Sequence, residues 1–188
     1  MSETIRTFLA VELTPEVRQH LADVQELLMR AGARVKWTPP ERIHLTLVFL
    51  GNVPADAIPE LEDAVRDACR DVSAIKLTVG GTGRFPPKGK PRVLWSGIEE
   101  PTGELLGLQK ALVEATKPFA EKVDDRPYKP HLTLGRVRKG RVPFELSDMV
   151  DELAEEGGPT FVAREVVIFR SDLSSEGARY APMAKIPL

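Results

Sequence analysis

The sequence His44-Leu45-Thr46-Leu47 recurs as His131-Leu132-Thr133-Leu134. Only three of the 188 residues are histidine, so two of the three occupy the same frame of one repeated tetrapeptide. Each copy alternates polar and apolar residues, and residues i and i+2 of a β-strand lie on the same face. Each copy is therefore predicted to place a histidine and a threonine on one face of a strand and two leucines in the core.

The repeat favours a functional role for both histidines. A single histidine on an alternating strand is usually a structural residue, but packing does not require histidine and threonine at matching positions in two segments. Histidine exchanges protons near neutral pH, and a threonine hydroxyl donates a hydrogen bond. The two pairs are typical of a symmetric acid–base site, with His44 and His131 as catalytic candidates and Thr46 and Thr133 beside them.

Composition and charge are ordinary for a globular protein, with 42% hydrophobic and 29% charged residues. The length favours one domain, spanning residues 1–188. A net charge of −2 provides no global basic field, which argues against a general binder of duplex nucleic acid. The single Cys69 excludes an internal disulfide and is interpreted as a small buried thiol.

Hydrophobic periodicity predicts seven strands, over residues 4–11, 43–50, 74–79, 92–98, 130–138, 160–170 and 180–186. Helices are predicted after Thr14-Pro15-Glu16, around residues 58–68 and 105–115, and after a Ser147-Asp148 cap with Met149 and Leu153 inward. The segment 80–91, rich in glycine, proline and cations, is interpreted as a hairpin loop, because a P-loop has Gly-Lys-Ser/Thr entering a helix. Its cations are equally suited to solvent and to a phosphate backbone.

The flanks of the two copies resemble a known enzyme family. The first copy follows Val35-Lys36-Trp37-Thr38-Pro39-Pro40 and precedes Val48-Phe49-Leu50-Gly51. The second lies between Arg126-Pro127-Tyr128-Lys129-Pro130 and Gly135-Arg136. With the opening Arg6-Thr7-Phe8-Leu9-Ala10, these segments resemble the RNA 2′,3′-cyclic phosphodiesterases, also called 2′-5′ RNA ligases, of the two-histidine phosphoesterase superfamily. The mark of that superfamily is a tandem His-x-Thr/Ser-x motif.

The resemblance implies the fold and the reaction. The element order already suggests an α+β fold in a single bilobal domain, and the resemblance implies two pseudo-symmetric lobes of antiparallel sheet with outer helices around a central cleft. Each lobe would supply one His-x-Thr strand. The implied reaction is metal-independent hydrolysis of RNA 2′,3′-cyclic phosphate ends to a 2′-phosphate and a 3′-hydroxyl by paired general acid and base histidines.

Residue roles also follow from the resemblance. His44 would protonate the departing O3′ and His131 would activate water, although spacing alone leaves either histidine open to either role. Thr46, Thr133 and Arg136 would bind the phosphate. The acid–base pair predicts a bell-shaped pH dependence with an optimum near the unperturbed histidine pKa of roughly 6.5.

Two aromatic residues complete the candidate site. Phe8 and Phe49 match the family's aromatics near the base or the cleft and are candidate substrate contacts. As apolar residues on predicted strands, both are equally suited to the core.

No cofactor is predicted. A metal site needs several ligands at suitable spacing, and no carboxylate or second histidine joins either repeated frame. No nucleotide-binding loop is present, so neither metal nor ATP is expected. The N-terminus has no apolar signal region and no segment is long and apolar enough to span a membrane, so a cytoplasmic monomer acting on RNA with a 2′,3′-cyclic phosphate end is expected.

Three alternatives stay open. The same site run in reverse with an RNA 5′-hydroxyl would perform ATP-independent 2′-5′ ligation. A non-catalytic module that binds RNA ends is another class, although loss of a motif histidine or threonine would be expected there. The third alternative is a phosphodiesterase for a small cyclic nucleotide.

Overall fold

Nine strands and four helices occupy the residues that the structure, a computed structural model, describes: 3–122, 126–140, 142–174 and 177–188. In chain order they are β1 (Thr4–Val11), α1 (Pro15–Met29), β2 (Val35–Trp37), β3 (Leu45–Pro54), α2 (Ile58–Cys69), β4 (Ile75–Phe85), β5 (Val93–Glu99), α3 (Glu104–Thr116), β6 (His131–Val137), α4 (Phe144–Glu152), β7 (Thr160–Ala163), β8 (Glu165–Ser174) and β9 (Gly177–Pro187). Short 3₁₀ turns lie at Pro40–Arg42, Ala55–Ala57 and Lys117–Phe119.

The strands form two antiparallel sheets. The first has the order β3-β1-β8-β9 and the second β2-β6-β5-β4-β7. Helices α2 and α3 contact the first sheet, whereas α4 contacts β4 of the second sheet and α1 lies beside α4. The predicted α+β fold with two lobes of antiparallel sheet and outer helices is confirmed. Neither lobe is a contiguous half of the chain, because the C-terminal β8 and β9 complete the sheet that β1 and β3 begin.

From Thr7 to Val11, strand β1 is buried on both faces, because each face packs into a hydrophobic cluster. Leu9 and Val11 belong to the main hydrophobic core. Phe8 and Ala10 point the other way and form a small separate cluster with neighbours on β8. This second face of the sheet lines the cleft, so the cleft has an apolar and aromatic floor on the side of the first lobe.

Helix α1 begins as its sequence predicts. The Thr14 hydroxyl accepts a hydrogen bond from the Val17 amide at 3.4 Å, and Pro15 occupies the first turn. The chain leaves the helix before Gly32, whose φ of 66° is the left-handed conformation that glycine favours. The helix has 15 residues, and neither it nor any other described helix is long and apolar enough to cross a membrane.

The segment 80–91, predicted as a loop, is strand as far as Phe85, so that prediction is wrong for its first half. Its glycines within β4 mark close approaches to neighbouring segments, whereas Gly89, with a φ of 81°, lies in the turn that follows. A Cβ added to Gly81 would lie 1.9 Å from the carbonyl oxygen of Ala154, and one added to Gly83 would lie 2.2 Å from the Trp95 ring. The connection between β4 and β5 shortens to residues 86–92.

Two further predictions are wrong in detail. Pro143 directly precedes α4, so Ser147 and Asp148 lie within the helix instead of capping it. Leu146 and Val150 are its buried residues, and Met149 and Leu153 pack against the core partly buried, as predicted. The predicted strand 160–170 is two strands, β7 and β8, which lie in different sheets. A period-2 pattern cannot reveal such a change of sheet, because both segments alternate in the same way.

Cys69 confirms the prediction of a buried thiol. Its side chain is 1% exposed at the end of α2, and burial raises the pKa of the thiol to about 11. The thiol is therefore protonated at neutral pH and unsuited to act as a nucleophile.

Candidate active site

The two repeated segments lie on facing strands. His44 directly precedes β3, the edge strand of the first sheet, and His131 begins β6 of the second sheet. The two strands contact each other across the lobes. All four motif leucines are at most 3% exposed, whereas the motif histidines and threonines are half-buried. The predicted division of each copy into a core face and a cleft face is therefore correct.

The cleft between the lobes has two connected arms. The small arm has a volume of about 460 Å³ and is bordered by His44, Phe8 and Tyr180. The large arm, of about 750 Å³, is bordered by Phe85, Tyr128 and residues that follow α3. Five residues border both arms and define the junction between them: Thr46, Phe49, His131, Thr133 and Arg136. Of the predicted catalytic and phosphate-binding residues, His131, Thr46, Thr133 and Arg136 meet at the junction, and His44 borders the small arm beside it.

A β-bulge turns Arg136 toward Thr133. Val93 and Trp95 of β5 are two residues apart and share a face, but their partners on β6, Arg136 and Thr133, are three residues apart. Regular alternation would put Arg136 and Thr133 on opposite faces. The extra residue in β6 re-aims the arginine, as bulges beside active sites often do.

The first lobe contains the matching irregularity. Phe8 and Ala10 share a face of β1 and pair with Phe49 and Thr46, which are again three residues apart. Phe49 thereby joins Thr46 at the junction and is 45% exposed, whereas Phe8 is only 3% exposed. Of the two predicted aromatic contacts, Phe49 is open to a ligand, and Phe8 lies beneath His44.

Each histidine ring lies against the backbone carbonyl oxygen of the residue two positions before it. The Nδ1 atom of His44 lies 3.0 Å from the carbonyl oxygen of Arg42, and Nδ1 of His131 lies 2.7 Å from that of Lys129. A carbonyl oxygen only accepts, so Nδ1 of each neutral ring carries the proton and donates it. Each Nε2 is then unprotonated and free to accept a proton from a ligand.

His44 lies within the aromatic floor of the small arm. Its ring stacks on Phe8 at 4.7 Å between centroids, and Tyr180 meets it edge-on at 5.0 Å. Burial lowers the pKa of His44 to about 4, against a smaller opposing effect of the hydrogen bond to Arg42. Tyr180 was not identified from the sequence, because β9 is far from both repeats along the chain.

His131 has a different, cationic environment. Phe85 meets its ring edge-on at 5.1 Å, and Lys129 lies 4.5 Å above the centroid of the neighbouring Trp95. Burial lowers the pKa of His131, and the positive charges of Lys129 and Arg136 lower it further against the hydrogen bond to the Lys129 carbonyl. Both histidines are therefore mainly neutral in the free protein at neutral pH.

A buried glutamine joins the segments that carry the two motifs. Gln25 of α1 is 3% exposed, and its Nε2 donates to the carbonyl oxygens of Thr38 at 2.7 Å and Leu134 at 2.8 Å. Across the cleft, the Tyr128 hydroxyl donates to the Thr46 carbonyl at 3.0 Å. The tyrosine bond connects the two lobes beside the junction, whereas the glutamine bonds join α1 to two neighbouring segments of the second lobe. Only long-range contacts reveal these bonds.

The described residues contain no group of three or more histidine, cysteine, aspartate or glutamate side chains placed to hold a metal ion. Two cations, Arg6 and Arg42, border the small arm together with Arg136. Arg6 lies 4.5 Å above the centroid of Phe49, and Arg42 donates to the carbonyl oxygen of Ala178. The junction is thus suited to an anion.

Comparisons with known proteins agree with this geometry. Residues 15–173 match the family model of the 2′-5′ RNA ligase superfamily. An RNA 2′,3′-cyclic phosphodiesterase of Methanothermobacter thermautotrophicus is 35% identical over 180 residues, 95% of this chain and 96% of that protein. A crystal structure from Thermus thermophilus superposes with a TM-score of 0.80 and 29% identity over 98% of both chains. Escherichia coli LigT, 24% identical, has a TM-score of 0.76 over 100% of this chain and 99% of its own, and shows the same fold.

Proposed function

The chain belongs to the 2′-5′ RNA ligase superfamily, and from that membership we propose that it hydrolyses 2′,3′-cyclic phosphate ends of RNA to a 2′-phosphate and a free 3′-hydroxyl. The observation that carries the proposal is the pair of matched histidines in one cleft, His131 at the junction and His44 in the small arm beside it, each with its Nδ1 on a backbone carbonyl and its Nε2 free. Curated relatives named RNA 2′,3′-cyclic phosphodiesterase support the substrate.

The proposed step is an in-line displacement at phosphorus. Nε2 of His131 accepts a proton from water as its oxygen bonds to phosphorus, and the P–O3′ bond breaks as protonated His44 gives its Nε2 proton to O3′. The atoms balance without a metal or a nucleotide cofactor. The cations beside His131 favour its neutral form, which is the form that a base needs.

His44 must become protonated when the substrate binds if it is to act as the acid. His44 has a pKa of about 4 in the free protein, so only a small fraction is protonated at neutral pH. A phosphodiester anion at the junction favours the imidazolium form of a neighbouring histidine and raises its pKa. The low value alone does not assign His44 to the acid role. That assignment rests on the family resemblance, and the isomer of the product tests it.

Three groups are placed to stabilise the phosphoryl oxygens. Thr46 and Thr133 border the junction from opposite lobes, and Arg136 lies beside Thr133 because of the bulge. Neither threonine hydroxyl has a hydrogen-bond partner among the described residues, so both are available to a ligand. Preorganised donors and a guanidinium match the charge that develops on the non-bridging oxygens.

The reverse reaction, ligation of RNA ends, is the second reaction that this site could perform. An RNA 5′-hydroxyl in place of water would form a 2′-5′ linkage without ATP, by the same two proton transfers. The high concentration of water makes hydrolysis the primary proposal. A purely binding module is disfavoured because all four motif residues border the same cleft, three at the junction and His44 in the small arm.

The product should be the 2′-phosphate isomer. If His44 protonates O3′, the bond to O3′ breaks and the phosphate stays on O2′. We expect an oligoribonucleotide with a 2′,3′-cyclic end to give one product that co-migrates with an authentic 2′-phosphate standard. A predominant 3′-phosphate would mean that the histidine roles or the bound orientation are the reverse of those proposed.

The pH optimum of kcat/KM should lie below the unperturbed histidine pKa of roughly 6.5. Burial lowers the pKa of both histidines, that of His44 to about 4, and the active form with one ring protonated is most populated between the two apparent values of the pair. The rate should fall at higher pH as the acid loses its proton and at lower pH as the base gains one. A kcat/KM optimum above pH 7 would contradict this environment.

A bound phosphate should shift the pH dependence of the reaction rate. Because the anion raises the pKa of both rings, the optimum of kcat should lie at higher pH than that of kcat/KM. The two limbs belong to the coupled pair and do not identify either ring by themselves.

Chelation should leave the reaction unchanged. We expect full turnover in excess EDTA without added nucleotide, since both proton transfers use side chains of the chain itself. The control is the same assay with added magnesium or zinc. Loss of activity in EDTA that a divalent ion restores would contradict the metal-independent mechanism.

A further inference from the structure

The volume of the large arm of the cleft is greater than the reacting phosphate group requires. The junction already contains both threonines, His131 and Arg136, and the small arm contains His44. The large arm extends beyond them with about 750 Å³. Pockets of roughly 300–1,000 Å³ enclose a drug-sized ligand, so this arm has room for at least one more nucleotide.

The wall of the large arm is strongly cationic. Its described lining residues include no aspartate or glutamate, although the whole chain has a net charge of −2. Six lining residues are cations: Arg92, Lys117, Lys122, Arg126, Lys129 and Arg136. Lys117 has only a loose contact of 4.0 Å with exposed Glu114, and Lys122 has no ion-pair partner among the described residues. The charges of Lys117 and Lys122 are therefore available to a polyanion.

The same arm offers apolar surface between its charges. Phe49 at the junction is 45% exposed, and Phe85, Val113 and Tyr128 line the arm beyond it. The hydroxyl of Tyr128 is held by the Thr46 carbonyl, which fixes its ring in the wall. Cations along a groove with exposed aromatic rings are the pattern by which proteins bind single-stranded nucleic acid, through phosphates and stacked bases.

We propose that the large arm is a binding site for a segment of single-stranded RNA, separate from the site of the reacting phosphate. Lys117 and Lys122 contact its phosphates, and the apolar wall receives its bases. The proposal rests on the proposed function, which places the reacting phosphate at the junction. The segment has two sources: the nucleotides that precede the reacting end, or a second strand that approaches the His131 side.

Binding can be tested without catalysis. A fluorescein-labelled oligoribonucleotide hexamer with two hydroxyl ends has no cyclic phosphate, so its anisotropy reports binding without turnover. We expect Lys117→Ala/Lys122→Ala to weaken its affinity about tenfold at low salt, since each exposed ion pair contributes a fewfold. The slope of log K against log salt should become shallower by about 0.7 for each phosphate that a lysine no longer neutralises. Lys110→Ala, an exposed lysine of α3 outside both arms, is the matched control and should change neither quantity.

Turnover then distinguishes the two sources. If the preceding nucleotides occupy the arm, the ratio of kcat/KM for a cyclic-phosphate trinucleotide to that for the mononucleotide should fall in the double variant. If a second strand occupies it, that ratio should not change although hexamer binding is weakened. Equal hexamer binding by the double variant and the unaltered protein, or no binding at low salt, would overturn the proposal. Failure to hydrolyse any cyclic phosphate while the hexamer binds would reject the proposed function alone.

Discussion

His44→Ala and His131→Ala should each lower kcat for a 2′,3′-cyclic phosphate end by about 10²–10⁴-fold, the range for loss of a positioned general acid or base. Each ring borders the cleft with a free Nε2 and a backbone carbonyl on its Nδ1. Alanine removes the proton carrier and leaves the strand in place. Single-turnover kinetics on each purified variant, with circular dichroism to confirm folding, measure the effect.

His20→Ala is the control for this pair. His20 lies on α1, half-buried against Gly158 and outside both arms of the cleft. Its replacement should leave activity per folded molecule unchanged, whatever it does to stability. A folded His44 or His131 variant that retains near wild-type hydrolysis would be incompatible with the two-histidine mechanism.

Thr46→Val and Thr133→Val should each lower kcat by about 10²-fold, the effect of losing one preorganised donor worth a few kcal/mol in the transition state. Both hydroxyls lack a partner among the described residues, so their removal breaks no bond within the fold. Valine also retains the β propensity and nearly the shape of threonine. Steady-state kinetics and thermal unfolding of the same samples separate the catalytic effect from any loss of stability.

Thr78→Val provides a matched strand control. Thr78 lies on β4 away from the cleft, where its hydroxyl pairs with that of Thr160 at 2.9 Å. It should leave kcat unchanged. If Thr46→Val and Thr133→Val instead unfold with unaltered activity per folded molecule, the threonines are structural and the phosphate needs other donors.

Local alternation alone predicts the faces of the two motifs. In a strand, whether a side chain points to one face or the other depends only on its position within the run. The leucines of both copies are therefore buried, and the histidines and threonines face the cleft, wherever the strand finds its partner. The start of α1 follows from equally local chemistry, the Thr14 cap with its following proline.

Pairing between distant segments determines the parts of the fold that the local pattern does not predict. The glycines of 80–91 indicate a loop when read locally, yet Gly81 and Gly83 lie in β4. Glycine is needed at these two positions because neighbouring segments approach too closely for a Cβ. The strand predicted over 160–170 divides between two sheets, a choice made by partners far along the chain. Such contacts leave no periodic trace in the segment itself.

The local sequence pattern is enough to identify the residues of the candidate site: two histidines, two threonines and the strand faces on which they lie. Three features come only from the packing of distant strands: the contact of β3 with β6, the bulge that brings Arg136 to Thr133, and the bulge that brings Phe49 to Thr46. The same packing produces the burial that lowers the pKa of both histidines. The difference lies in the sequence separation of the interacting residues. Side-chain alternation is set between adjacent residues, whereas register, bulges and desolvation depend on which distant strands pack together.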